Sequence, residues 1–379
     1  MNLEILNEIV PCVILAGGKG RRMGGKEKAL IPLLDRPLLS YVLESVSGQV
    51  APIALNVNTN FDKFSKFGYP IIKDPIKGHL GPLAGILASL HWAQKINKDW
   101  VMTLPCDTPF LPKDLAQRMI EVKNREMDVD LIIARSRGYN HPVVALWKSN
   151  LHFKLKNALD DGIRKIDLFT SKLKIRYVDF DTKNNLQFDP FTNLNSPLDL
   201  INAQQILGKL PPFFGLAGWS GSGKTTLCTK LIENFTKIGI KVGTLKHAHH
   251  KFELDKPGKD SFNLRQAGAR PMIISSKERF ALIQENDGDE EKSLFQMLEI
   301  FAKEPINQCD IIIVEGYKNE PIPKIEVYRP DINKPLLYKE DNNIFAIASD
   351  IKIESSIPSF DLNNINSISD FIIHKYNIS

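Results

Sequence analysis

Two glycine-rich stretches hold the residues whose types and spacing most clearly point to chemistry. The first is Leu15-Ala16-Gly17-Gly18-Lys19-Gly20-Arg21-Arg22-Met23-Gly24-Gly25-Lys26-Glu27-Lys28, with five glycines and five basic residues behind the apolar run Val13-Ile14-Leu15. Glycine lets backbone N–H groups turn inward and approach a ligand closely, and such a nest attracts phosphate oxygens. Arg21, Arg22 and Lys28 would then neutralise a triphosphate, arginine through bidentate contacts and lysine as a compact charge. The second stretch is Gly218-Trp219-Ser220-Gly221-Ser222-Gly223-Lys224-Thr225, which fits G-x-x-x-x-G-K-[ST] without adjustment and continues into Thr226. In that pattern the loop N–H groups wrap phosphates, the lysine reaches the β and γ oxygens, and the hydroxyl of Thr225 ligates Mg²⁺.

Each stretch has a candidate acid downstream. Asp107, in Pro105-Cys106-Asp107-Thr108-Pro109, ends the apolar run Trp100–Leu104. Magnesium favours one or two carboxylates plus substrate phosphates, so a strand-end aspartate facing a phosphate nest is a minimal site for it. The plainer role for Asp107 is to cap a helix starting after Thr108-Pro109. Glu315 ends Asp310-Ile311-Ile312-Ile313-Val314-Glu315 and is the corresponding acid for the second loop. It would hold magnesium through a water or orient a nucleophile, and the residues alone do not choose between these or an ordinary strand-end acid. Lys246-His247-Ala248-His249-His250 invites a transition-metal reading. With no cysteine or well-spaced carboxylate beside it, a phosphate-facing switch loop is the better expectation. The acids Asp287, Asp289, Glu290 and Glu291 precede an amphipathic segment and would favour the positive end of its helix.

The elements that must position these groups alternate between strand-like and helix-like, which predicts an α/β layer fold. Strands are expected over Pro11–Leu15, Pro52–Val57, Ile71–Asp74 and Trp100–Leu104, and helical spacing recurs in Leu38, Leu39, Val42, Leu43 and Val46. Gly81-Pro82-Leu83-Ala84-Gly85 opens a helix with Leu83, Ile86, Leu87 and Leu90 on one face. Asp107 would then stand at the carboxyl end of a central strand, the edge where open α/β sheets bind ligands. Gly208-Lys209-Leu210-Pro211-Pro212 breaks the helical pattern. It divides the chain into expected domains at 1–207 and 213–379, with 208–212 as linker. Phe213–Ala217 is the strand before the second loop, and Leu227, Leu231, Phe235 and Ile238 share a face of the helix after it.

At 379 residues the chain has room for two cores. Its 43% apolar and 25% charged composition is that of a globular protein. The net charge of +5 lacks the concentrated basic stripe of a nucleic-acid binder. Cys12, Cys106, Cys228 and Cys309 form no C-x-x-C pair and are expected to be small buried hydrophobes. No signal-like segment opens the chain and no apolar run approaches ~18 residues, so a cytoplasmic protein without membrane contact is expected.

The first half resembles the molybdenum cofactor guanylyltransferases, the MobA family of nucleotidyltransferases, over nearly all of residues 8–206. It carries Leu15-Ala16-Gly17-Gly18, then Arg22-Met23-Gly24-Gly25, Lys28, Gly81–Gly85 and Pro105–Pro109 in the family's order. Glu27 stands where that family usually has aspartate. The resemblance implies nucleotide contacts at Leu15, Ala16, Gly17, Gly18, Lys28, Asn56 and Asp74, with Asp107 on both nucleotide and Mg²⁺. It places His141-Pro142 on the acceptor side and gives Asn193 and Asn195 of Asn193-Leu194-Asn195-Ser196-Pro197 to the pterin, where turn chemistry is the plainer role. The second half, from about residue 213, resembles the MobB family of small P-loop guanine-nucleotide-binding proteins. The matching residues are Trp219–Thr226, Lys246-His247 with His249-His250, Asp255–Ser261 and Val314–Lys318. No Asn-Lys-x-Asp motif is present, so GTP preference in this half comes from the resemblance alone.

Together the two resemblances imply a bifunctional protein that transfers GMP from GTP to Mo-molybdopterin, with Lys28, Arg22 and an Asp107-held Mg²⁺ as the catalytic set. Gly218, Gly221, Ser222, Gly223, Lys224, Thr225, Thr226 and Glu315 would bind a second GTP. Molybdopterin biosynthesis proteins and molybdoenzyme apoproteins are the implied partners. A cytidylyl- or sugar-nucleotidyltransferase joined to a small-molecule kinase is the alternative enzyme reading. A GTP-dependent adapter with slow hydrolysis is the reading preferred for the second half.

Overall fold

The computed structural model describes residues 9–20, 26–76, 81–180, 189–248, 252–286, 291–303 and 308–378, with the backbone alone for Lys19, Gly20 and Lys26. They form two compact units, Met1–Ala203 and Gln204–Ser379. The division falls inside the helix Pro197–Ile206, a few residues before the Gly208–Pro212 break.

The first unit is built on a seven-stranded sheet. Its strands are β1 (Cys12–Leu15), β2 (Ile53–Asn56), β3 (Ile71–Ile72), β4 (Trp100–Pro105), β5 (Leu131–Ser136), β6 (Tyr139–Lys148) and β7 (Ile175–Asp179). The spatial order is β7-β5-β6-β4-β1-β2-β3, and only β6 runs antiparallel to its neighbours. β1 reads as an unbroken apolar run because both of its faces are covered, as a central parallel strand requires. Cys12 and Ile14 face one core with Leu39, Val42 and Val46 of helix α1 (Leu38–Val46). Val13 faces the other, with Leu83, Ile86, Leu87 and Leu90 of helix α2 (Pro82–Lys95). The chain goes from β1 outward to β2 and β3 and returns to β4 on the other side. The order therefore reverses at the carboxyl ends of β1 and β4, the position where a crevice opens in such sheets.

The helix expected directly after Thr108-Pro109 begins later, as α3 (Leu115–Arg125). A turn precedes it, in which the Leu115 N–H closes back on the Pro112 carbonyl at 3.2 Å. Asp107 therefore caps no helix.

The second unit carries β8 (Phe213–Ala217), β9 (Val242–Lys246), β10 (Ile311–Glu315), β11 (Lys324–Tyr328), β12 (Ile344–Ser349) and β13 (Ser359–Asp361), all parallel, in the order β9-β10-β8-β11-β12-β13. Helix α4 (Lys224–Lys237) follows β8 and buries Leu227, Leu231 and Phe235. Ile238, expected on that face, lies past the helix end and is 57% exposed. Helix α5 (Leu294–Phe301) is started by a capping box between Ser293 and Gln296. Glu291, expected to complement that helix terminus, instead pairs with His247 at 2.6 Å, and Asp287, Asp289 and Glu290 lie outside the described residues. Helix α6 (Ile365–Tyr376) closes the unit's core through Ile368 and Ile372. Cys12, Cys106 and Cys228 are buried and Cys309 partly so, all as free thiols. Among the described residues no helix is long and apolar enough to cross a membrane.

Candidate active site and nucleotide-binding loop

A cleft of about 620 Å³ opens at the carboxyl ends of β1 and β4. It is lined by Leu15, Gly17, Gly18, Lys28, Asn56, Asp74, Asp107 and Asn193 among others. These residues come from six segments spread over 179 positions of sequence, and the sheet reversal gathers them. Ala16 is fully buried beneath the loop, its N–H on the Asn56 carbonyl at 2.9 Å. The Lys28 ammonium ties three parts of the site together, donating to the Asp107 carboxylate and to Asn195 Oδ1. The Leu194 N–H reaches the Asp107 carbonyl at 2.9 Å, so the Asn193-Leu194-Asn195 stretch is fastened to the end of β4. Arg21 and Arg22 lie outside the described residues.

Asp107 is 9% exposed, and its Oδ1 is buried without a hydrogen-bond partner while Oδ2 holds Lys28. Such an oxygen costs free energy unless something else satisfies it. A hard divalent cation fits it, because oxygen is the donor type such ions take. Burial drives the thiol pKa of neighbouring Cys106 far upward, with the Asp107 charge adding to the effect, which disfavours the nucleophilic thiolate.

The contacts that hold several of these residues in place had no obvious sequence signal. Asp74 is clamped by Asn56 Nδ2 at 2.9 Å and Asn58 Nδ2 at 2.7 Å, and its own N–H donates to Asn58 Oδ1 at 3.0 Å. Asn58 stands one residue past the expected strand Pro52–Val57 and belongs to no motif. Glu27 Oε1 accepts from Thr59 Oγ1 at 2.8 Å and Asn60 Nδ2 at 2.7 Å, pinning the far end of the glycine loop to the turn after β2. On the opposite wall Ser136 Oγ donates to Asp189 Oδ1 at 2.8 Å and lies 2.7 Å from His141 Nε2. With the one serine proton spent on Asp189, His141 must donate from Nε2, which leaves Nδ1 as an acceptor. Burial lowers the His141 pKa, partly countered by the Asp189 charge, so the neutral ring is favoured.

Residues 12–172 match the family model described as a MobA-like NTP transferase domain. Over 199 residues the chain is 41% identical to the molybdenum cofactor guanylyltransferase of Rhodopseudomonas palustris strain BisB5, covering 52% of this chain and 93% of that one. The chain belongs to the molybdenum cofactor guanylyltransferase family. The family's nucleotidyltransferase unit is the first of its two. The second matches, over residues 213–350, the model described as molybdopterin guanine dinucleotide synthesis protein B. Among solved structures, the molybdopterin-guanine dinucleotide biosynthesis protein A of Archaeoglobus fulgidus is 26% identical, with TM-score 0.44, over 53% of this chain and all of that one. The MobB protein homolog of Bacillus stearothermophilus is 22% identical, with TM-score 0.34, over 44% of this chain and 99% of that one.

In this second unit the P-loop sequence lies between β8 and α4. Gly218 has φ +147°, and a Cβ there would meet the Val327 carbonyl at 2.5 Å and Ser222 Oγ at 2.6 Å. Gly221 and Gly223 also take positive φ, and Gly223 caps α4. Lys224 folds back onto the Gly218 and Trp219 carbonyls, each at 2.9 Å. Burial lowers its pKa, with Glu315 acting the other way. Thr225 Oγ1 donates to Glu315 Oε1 at 2.6 Å, which puts the expected metal hydroxyl and the β10 acid side by side. Thr226 lies in the first turn of α4. Lys246 and His247 line the same cleft of about 730 Å³. Lys246 Nζ lies 3.6 Å from Glu315 Oε2. His249 and His250 lie outside the described residues, and no group of three metal-type ligands occurs among the described ones.

Proposed function

We propose that the first unit transfers GMP from GTP to Mo-molybdopterin, giving molybdopterin guanine dinucleotide and pyrophosphate. The observation that carries this reading is the Lys28 bridge, which joins the glycine loop, the β4 carboxylate and the Asn193-Leu194-Asn195 stretch in one cleft. A terminal phosphate oxygen of the pterin attacks the α-phosphorus of GTP. The bond from that phosphorus to the bridging oxygen breaks, and its electrons leave on pyrophosphate. Leu15, Ala16, Gly17 and Gly18 bring backbone groups to the nucleotide, with Asn56 and Asp74 at the side of the crevice. Asn193 and Asn195 serve the pterin side, with His141 offering an acceptor on the wall beside them. Lys28 and Arg22 offset charge as it moves onto the pyrophosphate oxygens, which is electrostatic catalysis without a covalent enzyme intermediate. Asp107 Oδ1 would hold Mg²⁺, which supplies Lewis-acid charge stabilisation when bound.

The second unit binds GTP through Gly218, Gly221, Ser222, Gly223, Lys224, Thr225, Thr226 and Glu315, with Thr225 as the Mg²⁺ ligand. It acts as an adapter toward molybdopterin biosynthesis proteins and apoenzymes, reset by slow hydrolysis. The protein works in the cytoplasm. The test uses purified protein with Mg²⁺, Mo-molybdopterin and each of GTP, CTP, ATP and UTP labelled at the α-phosphate. Label should enter a pterin dinucleotide from GTP alone and fall on the order of a hundredfold or more in Asp107→Asn. Label from CTP, or no labelled pterin, would overturn the assignment.

A further inference from the structure

A second cavity in the P-loop unit, about 690 Å³, lies at the carboxyl ends of β12 and β13. Its lining includes Ser349, Asp350, Lys352, Ile357 and Phe360, none of which belongs to the phosphate loop or its cleft. Both cavities open on the same edge of one parallel sheet, since β8, β11, β12 and β13 all run the same way. Arg329, just past the end of β11, spans the gap between them. Its Nε donates to the Ser222 carbonyl of the phosphate loop at 3.2 Å, and its Nη1 pairs with Asp350 Oδ2 at 3.0 Å. The guanidinium also lies 3.5 to 3.7 Å from where a Cβ on Gly223 would stand. One arginine side chain therefore separates the phosphate loop from the Asp350 carboxylate.

We propose that this cavity receives the nucleobase of the nucleotide held at the P-loop, and that Asp350 reads the edge of guanine carrying N1–H and the N2 amine. This rests on the proposed role of the second unit as a nucleotide-binding unit. A carboxylate only accepts, and guanine offers two adjacent donors on that edge. Adenine offers one donor beside a ring-nitrogen lone pair that the carboxylate repels. The volume is in the range of small-ligand sites, and Phe360 and Ile357 give an apolar surface for a flat ring. Arg329 is the positioning residue: its fork fixes the carboxylate while its Nε holds the loop that takes the phosphates. Guanine selection thus needs no Asn-Lys-x-Asp sequence.

The test is equilibrium binding of GDP, IDP, XDP and ADP to the full chain with Mg²⁺, with Lys224→Ala subtracting everything that is not the P-loop site. Hydrogen bonds to a charged group predict that IDP, lacking the N2 amine, binds roughly tenfold more weakly than GDP, and ADP more weakly still. Asp350→Asn has the same shape but offers a donor where guanine also donates. It should weaken GDP by roughly tenfold or more and strengthen XDP, whose C2 carries an acceptor oxygen. The gain for XDP also shows that the variant is folded. If Asp350→Asn binds GDP like the parent while Lys224→Ala abolishes the site, the base pocket is wrong and the P-loop reading stands. GDP weakened with no gain for XDP makes Asp350 merely structural and overturns the proposal. No Lys224-dependent binding in the parent sinks the P-loop reading and this proposal with it.

Discussion

Glu27 shows how a single residue can hold the site through its hydrogen bonds to neighbouring side chains. It is 9% exposed, and one of its oxygens satisfies both the Thr59 hydroxyl and the Asn60 amide. The next residue, Lys28, reaches the Asp107 carboxylate, so an error in anchoring Glu27 is passed directly to the charged centre. Replacing it by alanine strands two donors, at about 1–3 kcal/mol, whereas glutamine keeps an acceptor oxygen at the same reach. Glu27→Ala should therefore lower the melting temperature of the first unit by several degrees and reduce kcat, and Glu27→Gln should change either only slightly. Equal damage from both would mean that the charge, not the two accepted hydrogen bonds, is what the loop needs. The residues in the glycine loop, Asp107 and the P-loop were legible in sequence because their chemistry is written contiguously. The contacts of Glu27 were not: its partners lie 32 and 33 positions away and meet it only through the turn after β2.

Among the elements, α2 shows where local preference and site geometry conflict. The periodicity of Leu83, Ile86, Leu87 and Leu90 announced this helix, and all four are fully buried. Gly85 sits within it, where alanine would be favoured by about 1 kcal/mol on helix propensity alone. A Cβ there would stand 2.6 Å from Asn56 Oδ1 and 3.1 Å from Leu15 Cδ2. Asn56 is 3% exposed and committed to Asp74, so it has nowhere to swing. Glycine therefore lets α2 press against the carboxyl ends of β1 and β2, and the cleft wall depends on that approach. Gly85→Ala should raise KM for GTP on the order of tenfold, with the melting temperature within a few degrees of the parent because propensity offsets part of the overpacking. An unchanged KM would show that the Asn56–Asp74 clamp is not part of the nucleotide site. The late start of α3 was less legible, since Thr108-Pro109 and Pro112 are both acceptable helix openings and only packing decides between them. Of the Ser136–His141–Asp189 chain only His141 was signalled, through the resemblance, and its two partners were not. Strand pairing of β5 with β6 brings the first two together, and Asp189 arrives from 53 residues beyond Ser136.

At the scale of the whole molecule, two units with separate sheets and cores predict two thermal transitions, and the histidines of the first unit give its transition a distinct pH dependence. Burial lowers the pKa of His141 and of His91, with His152 and nearby lysines adding to the effect at His91. A histidine whose folded pKa lies below its unfolded value, near 6.5, is protonated first in the unfolded chain. The stability it contributes is complete above that pH and is lost as pH falls from there toward the folded value. The transition of the first unit should therefore fall as pH drops from about 7 to 5.5, by roughly 2–4 °C for each kcal/mol lost. His91→Gln with His141→Gln removes both titrating rings and should flatten that slope even if it lowers the melting temperature overall. Calorimetric scans across this window check the expectation without any assay of activity. A slope that survives in the double variant would assign the acid sensitivity to other groups. It would also remove the support for a neutral His141 as an acceptor on the pterin side of the cleft.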